Sequence, residues 1–218
     1  MPTKTIAVAI ETSPKKCFAA ALEWPGWCRS GRDPDAALAA LAEYAQRYRP
    51  VADAAGFPLP ERLTLEELER LPGGATTAFG APEVIFGADR EPLPPAQARR
   101  LAALVTGAWE YFDEVAAATP EELRKGPRGG GRDRDKMVAH VLEAENSYAR
   151  SLGIKVPAPA VGEVDVIEAQ RLAIAAVLGE RSDGGPAAAG KKWTSRYGAR
   201  RIAWHVLDHA WEMQDRTE

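Results

Sequence analysis

The histidines of this chain have the spacing of metal ligands. His205 and His209 are four residues apart in the segment AWHVLDHA, and the only other histidine, His140, lies in a separate helix-like segment. Residues i and i+4 share one face of a helix, so both imidazoles can reach a single ion. A third imidazole from a facing helix completes a three-nitrogen site with positions open for water or substrate, as in catalytic zinc sites. The sequence therefore predicts a divalent metal site at His140, His205 and His209.

The ligand set narrows the chemistry of this predicted site. The histidine pair lacks the glutamate of an HExxH metalloprotease, because Val206 occupies that position. Imidazole ligands suit zinc, nickel, iron or copper, and we expect zinc or nickel first. Such an ion can lower the pKa of bound water to about 7 and can also stabilise a thiolate.

Acidic and basic residues near the histidines are candidates for supporting roles. Asp208 and Glu212 lie on a polar strip beside the histidines and are candidate catalytic groups that orient an imidazole or transfer a proton. Glu143 is a third candidate for such a role. Each of the three could instead belong to a solvated helix face, and we favour that interpretation for Glu143. Arg132 and Arg134 follow a glycine loop at 129–131 and are candidates to receive an anionic substrate, although a solvated loop is the stronger expectation.

Four helices must position these residues. Apolar periodicity predicts helices at 95–118, 134–152, 163–181 and 195–216, separated by proline- and glycine-rich breaks. Four helices of similar length with apolar stripes predict a four-helix bundle, in whose core metal sites are commonly built. Trp204 and Trp211 lie opposite the histidines, so this face either docks the N-terminal domain or a second subunit, or packs within one domain. Glu145 falls on an apolar arc, which predicts an arginine partner, with Arg200 or Arg201 as candidates.

The first half of the chain predicts a small sheet module. Runs of strand formers predict strands at 3–11 and 17–24 and a shorter one at 27–30. The sequence Asp33-Pro34-Asp35 then starts a helix over 36–48, which Pro50 ends. A capping box at 64–67 predicts a short helix as far as residue 71, and short strands are expected at 75–79 and 83–86. The prolines at 92–95 predict a domain boundary, with domains at 1–92 and 93–218 and an α+β fold overall.

Two parts of the chain resemble known modules. The first fifty residues, with the corner WPGWC and a helix beginning DPDAAL, resemble the HicB-like module. HicB antitoxins neutralise an RNA-cutting toxin and usually carry a separate DNA-binding part, which is not evident here. The resemblance therefore implies a reused scaffold rather than a working antitoxin.

The last 125 residues or so resemble the DinB/YfiT-like superfamily. The segments MVAHVLEAENSYAR and RRIAWHVLDHAWEMQDR carry the resemblance, with His140, His205 and His209 in matching order and spacing. In that superfamily such histidines bind a divalent metal in a four-helix bundle, and known members include transferases and isomerases that use low-molecular-weight thiols. The resemblance implies a metal-dependent enzyme of thiol-transferase or hydrolase type with a small-molecule substrate. Fusion to a HicB-like module departs from the family pattern.

Composition excludes some classes of function. The chain has 218 residues, a net charge of −3 and 27% charged residues, so its overall charge gives no reason to expect a nucleic-acid or membrane partner. No apolar run approaches the roughly 20 residues that a membrane span needs, and the N-terminus is unlike a signal peptide, which predicts a cytoplasmic protein. Cys17 and Cys28 are too far apart for a CxxC motif and are expected to be buried free thiols.

Three functions remain open from the sequence. The first is the metal-dependent enzyme. The second is a non-catalytic metal-binding or interaction protein, and the third and weakest is an antitoxin-type regulator. A homodimer is compatible with all three.

Overall fold

The computed structural model describes residues 3–125 and 131–217, and it is a mixed α+β fold with a sheet at the N-terminus followed by helices. The strands are β1 (Lys4–Thr12), β2 (Cys17–Ala21), β3 (Cys28–Gly31) and β4 (Leu63–Pro72). The helices are α1 (Pro34–Glu43), α2 (Ala45–Ala54), α3 (Ala75–Phe79), a 3-10 turn at Gly87–Arg90, α4 (Pro95–Ala118), α5 (Arg134–Ser151), α6 (Val164–Gly179) and α7 (Ser195–Thr217).

The sheet has the strand order β3-β2-β1-β4. The first three strands form an antiparallel meander, and β4 adds to the free edge of β1 in parallel, so α1 and α2 together make the crossover that a parallel pair requires. Every residue of β2 is buried, because both faces of this strand are covered by helices. β2 and the middle of β1 are therefore internal, whereas β4 has no buried residue.

The strand β4 corrects the helix that the sequence predicted at 64–71. Leu65, Leu68 and Leu71 recur every three residues, which imitates a helical stripe. In the fold a β-bulge accommodates this spacing. The register against β1 shifts between Val8 and Ala9, and Leu68 is left 64% exposed. Pairing with β1 outweighs the local helical signal.

The short strands predicted at 75–79 and 83–86 are not formed, because the carboxylates of Glu83 and Glu11 bind the backbone amides of these segments. Residues 75–79 form α3 rather than a strand, and the Glu83 carboxylate accepts from the backbone amides at its start, including that of Thr77 at 3.1 Å. Residues 83–86 have no regular structure, because the amides of Glu83 and Val84 donate to the buried Glu11 carboxylate instead of to a strand.

The helix predicted over 36–48 is in fact two helices, α1 and α2, divided at Tyr44. Pro50 does not end the second helix but lies inside it. Tyr48, Val51 and Ala52 are all fully buried, so packing stabilises the helix around the proline.

The four predicted long helices are confirmed within about two residues at each end. Helix α4 contacts α6 and α7, and α5 contacts the same two helices. A side chain at Gly107 would place its Cβ 2.7 Å from the carbonyl oxygen of Val51, so α2 and α4 cross with their backbones nearly touching.

Buried apolar residues from both halves of the chain form one continuous cluster, which joins Val8 and Trp27 to Leu104 and Val206. The predicted domain boundary after residue 92 lies beside this cluster, because the next residue, Leu93, belongs to the cluster and is only 1% exposed. Independent folding of 1–92 and 93–218 stays a prediction.

Helix α7 connects the two halves. The Trp204 ring meets Phe18 of β2 edge-on at 6.0 Å, and the Trp211 ring meets Tyr44 at 5.0 Å. The tryptophan face of α7 therefore packs against the N-terminal part of the same chain, which agrees both with docking on an N-terminal domain and with packing within one domain. Both cysteines are buried and free, as predicted. None of the described helices is long and apolar enough to cross a membrane.

Candidate metal centre

Helix α7 presents two imidazoles side by side. His205 and His209 are one turn apart, with ring centroids separated by 4.7 Å in an edge-on arrangement. His205 is 6% exposed, whereas His209 is partly exposed. The opposite face of α7 is anchored by Trp204 and Trp211, which fixes the rotation of the helix and directs the histidines toward α5.

The third imidazole comes from α5 and meets both of the others. The Nε2 atoms of His140 and His205 are 3.3 Å apart, and the His140 ring centroid is 5.1 Å from that of His209. One ligand nitrogen from each histidine can be chosen so that all three lie within 4.8 Å of one another. The structure therefore brings together the three residues that the sequence predicted as ligands.

The spacing of these nitrogens fits a small divalent ion. Two nitrogens bound to one tetrahedral zinc at 2.0–2.1 Å lie about 3.3 Å apart, which matches the pair formed by His140 and His205. The approach of His209 to His205 follows from their i,i+4 spacing on α7, and the approach of His140 to both comes from the packing of α5. The ligand nitrogen of His209 lies within 4.8 Å of the other two.

The protonation of His140 and His205 also suits ligation. Burial holds the pKa of His205 well below its usual value, and the nearby charges of His209 and Arg201 act in the same direction. Burial likewise lowers the pKa of His140, followed by the charge of Arg132. Neutral imidazoles carry the lone pair that a metal ligand needs.

Glu212 contacts the third histidine of the cluster. Its carboxylate lies 3.0 Å from Nδ1 of His209 and also accepts from Nη1 of Arg216 at 3.0 Å. The hydrogen bond with His209 is the main reason that the pKa of Glu212 is lowered. With Nδ1 engaged in this way, Nε2 is the nitrogen of His209 left to ligate, which is the usual arrangement of a carboxylate behind a metal-bound histidine.

Asp208, the other predicted supporting carboxylate, has a different partner. Its Oδ1 accepts from Nη1 of Arg29 on β3 at 2.9 Å, so it joins α7 to the sheet rather than orienting an imidazole. Glu143 is exposed, as expected of a solvated face. Arg134 binds the carbonyl oxygen of Thr119 at 2.9 Å and so holds the start of α5. Arg132 is exposed, and residues 129 and 130 of the glycine loop lie outside the described residues.

Glu145 is buried and lies beside an arginine, as predicted, but that arginine is Arg171 rather than either of the two candidates. Its carboxylate accepts from the indole nitrogen of Trp109, and its Oε2 lies 3.8 Å from Nε of Arg171, rather than meeting Arg200 or Arg201. Burial raises the pKa of Glu145 to about 7, against the opposing charge of Arg171.

The two predicted arginine partners have other surroundings. Arg200 forms a buried ion pair with Asp89, donating from Nε to Oδ1 at 2.9 Å. Arg201 stacks between aromatic rings, with its guanidinium carbon 4.6 Å from the centroid of Trp204 and 5.1 Å from that of Tyr148. Tyr148 and Arg201 are not among the site residues that the sequence predicts, although Arg201 precedes His205 by four residues, a spacing visible in the sequence.

Comparisons of the chain with protein-family models, with curated proteins and with solved structures found no match.

Proposed function

We propose that this chain is a divalent-metal protein of the DinB/YfiT-like superfamily and an enzyme of thiol-transferase or hydrolase type. The observation that carries the proposal is the convergence of His140, His205 and His209, with two of their nitrogens 3.3 Å apart. The order of four long helices and the position of the histidines on α5 and α7 support the superfamily assignment and the expected four-helix bundle. Zinc or nickel is the proposed metal.

The residues of the centre have distinct proposed roles. His140, His205 and His209 hold the ion, and Glu212 fixes the ring of His209 through Nδ1. When bound, a dication supplies Lewis acidity that activates water or stabilises a thiolate at neutral pH. Burial lowers the pKa of His205, so this imidazole is neutral and ready to ligate. Glu212 is the better of the two candidate carboxylates, because Asp208 is engaged by Arg29.

We propose that the first fifty residues are a HicB-like module that serves as a scaffold. The order β1-β2-β3-α1 supports this assignment, and so does the covering of Phe18 on β2 by Trp204 of the metal-bearing helix. A scaffold role agrees with this packing better than an antitoxin role does, because that sheet face is occupied within the chain.

Metal analysis of the purified full chain tests the proposal. We expect about one equivalent of zinc or nickel per chain, and we expect His209→Ala to lose most of it. Asp208→Asn is the matched control, since Asp208 lies on the same helix but pairs with Arg29, and it should retain the metal. Equal metal content in all three proteins would refute the ligand assignment. A metal-loaded chain without turnover on any small thiol and electrophile would favour the non-catalytic metal-binding alternative.

A further inference from the structure

A cleft opens between helices α4, α5 and α6, with a volume of about 530 Å³. Val138 and Leu142 of α5 line this cleft. Each of them is two residues from His140, so their side chains leave α5 on nearly the opposite side from that imidazole. The cleft is therefore separate from the candidate metal centre.

The walls of the cleft are mostly apolar and open to solvent. Its apolar lining includes Trp109, Val138, Leu142, Ile167, Leu172 and Ala175. Leu172 is 62% exposed, and Val164, which also lines the cleft, is 68% exposed. An apolar ligand that covers these side chains removes their surface from water, which is favourable. The volume lies within the range of roughly 300–1,000 Å³ that is usual for small-molecule sites.

The charged residues of the cleft select the polar group of such a ligand. Glu110, Asp113, Glu168 and Arg171 line it. Arg171 donates two hydrogen bonds to Asp113, at 2.6 and 3.1 Å, so its charge is compensated within the chain. Glu110 and Glu168 are exposed and form no hydrogen bond or ion pair with side chains in the part of the chain that the structure describes. Two uncompensated carboxylates attract a cation and repel an anion.

We propose that this cleft binds a small amphiphilic cation, whose apolar body lies against the helix walls and whose ammonium group faces Glu110 and Glu168. This site goes beyond the metal-dependent function and does not depend on it. Because both carboxylates are exposed, they contribute modestly to affinity and chiefly decide which polar group is accepted, while the apolar body supplies most of the binding.

Isothermal titration calorimetry of the full chain measures this preference. The probes are octylamine, 1-octanol and octanoate, which share one alkyl chain and end in an ammonium, a hydroxyl and a carboxylate group. A chelator is present throughout, so that no probe binds through a metal ion at the histidines. We expect octylamine to bind about fivefold more tightly than 1-octanol, as two exposed ion pairs imply, and octanoate to bind most weakly.

Two tryptophan variants locate the binding. Ala175→Trp places a large side chain in the cleft and should weaken binding of all three probes at least about tenfold. Ala176→Trp is the matched control, because Ala176 is the next residue of α6, is exposed and is not part of the cleft lining, and it should bind as the parent does. Circular dichroism checks that both variants are folded.

Two pairs of carboxylate variants test the choice of a cation. Glu110→Gln combined with Glu168→Gln should bring the affinity for octylamine to within about twofold of that for 1-octanol, without changing the affinity for 1-octanol. Glu114→Gln combined with Asp165→Asn is the matched control, because these exposed carboxylates lie on the same two helices but outside the cleft lining, and it should keep the full preference. These variants decide the matter even if Ala175→Trp does not fold.

Several results would overturn the proposal. Equal affinity for the three probes, or a preference that survives loss of both carboxylates, overturns the cation as the ligand. Absence of binding, or binding that persists in folded Ala175→Trp, overturns the cleft as the site. A dimer in light scattering that Ala175→Trp dissociates and Ala176→Trp does not would show that a second copy covers the cleft, which also overturns it. None of these results bears on the metal centre, which metal analysis tests separately.

Discussion

The buried carboxyl group of Glu145 makes the stability of the fold depend on pH. Glu145 is fully buried, and burial raises its pKa from 4.5 to about 7. The unfolded chain releases this proton near pH 4.5, whereas the folded chain keeps it until about pH 7. The stabilisation linked to this proton is therefore fully present below pH 4.5 and is lost as the pH rises to about 7.

The size of the effect follows from the two pKa values. Each pH unit of difference between the folded and unfolded pKa corresponds to about 1.4 kcal/mol, so the interval from 4.5 to about 7 gives about 3 kcal/mol. Glu145→Gln keeps an acceptor oxygen for the indole of Trp109 but carries no titrating group. The variant should match the parent near pH 4 and should be more stable by about 3 kcal/mol at pH 8.

Urea unfolding of both proteins between pH 4 and pH 8, in the presence of a chelator, measures this difference directly. The lowered pKa values of His140 and His205 also change stability, with the opposite sign, since they favour the folded state as the pH rises. They act equally in both proteins, so they cancel when the variant is compared with the parent.

Glu67→Gln is a control for which the difference in stability from the parent should change with pH in the opposite direction. The hydrogen bond and charge of Arg70 lower the pKa of the Glu67 carboxyl, so this variant should lose a little stability relative to the parent as the pH rises. A Glu145→Gln difference that stays constant from pH 4 to pH 8 would refute the reasoning, because it would mean that Glu145 titrates alike in the folded and unfolded chain.

Three further predictions concern the metal, the helix α7 and a buried ion pair. Zinc at a free concentration about 100-fold above its dissociation constant should stabilise the parent by about 2.7 kcal/mol, seen as a rise in Tm that a chelator reverses and that His205→Ala lacks. Trp204→Ala should cost about 3–5 kcal/mol in urea unfolding, because the ring is 5% exposed and packs on Phe18; a loss below about 1 kcal/mol would contradict the packing described. Arg200→Met should cost about 3–5 kcal/mol by leaving Asp89 buried without its partner, and adding Asp89→Leu should recover most of that loss; additive losses would argue against a direct pair.

The histidine cluster was predictable because its main signal is local. The spacing of His205 and His209 places both on one helix face whatever surrounds the helix, and the apolar stripes around His140 direct that residue toward a neighbouring helix. The boundaries of the four long helices were predictable for the same reason, since periodicity, prolines and glycines act over a few residues.

The partners of the charged residues were not predictable. Glu145 meets Trp109 and Arg171, which are 36 and 26 residues away, and Asp208 meets Arg29 across 179 residues. Each residue has several oppositely charged candidates in the sequence, and only the packing of helices against one another and against the sheet chooses among them.

The sequence alone therefore determined which elements carry the candidate ligands and which side of α7 they occupy, because a helix imposes its period on any sequence compatible with it. The tertiary structure decided that β4 pairs with β1 and that Glu212, rather than Asp208, contacts His209. Leu65, Leu68 and Leu71 show the reason: their spacing suits a helix, yet hydrogen bonding to a strand more than fifty residues earlier makes them part of β4. Such long-range pairing depends on the whole chain and leaves little trace in the local pattern.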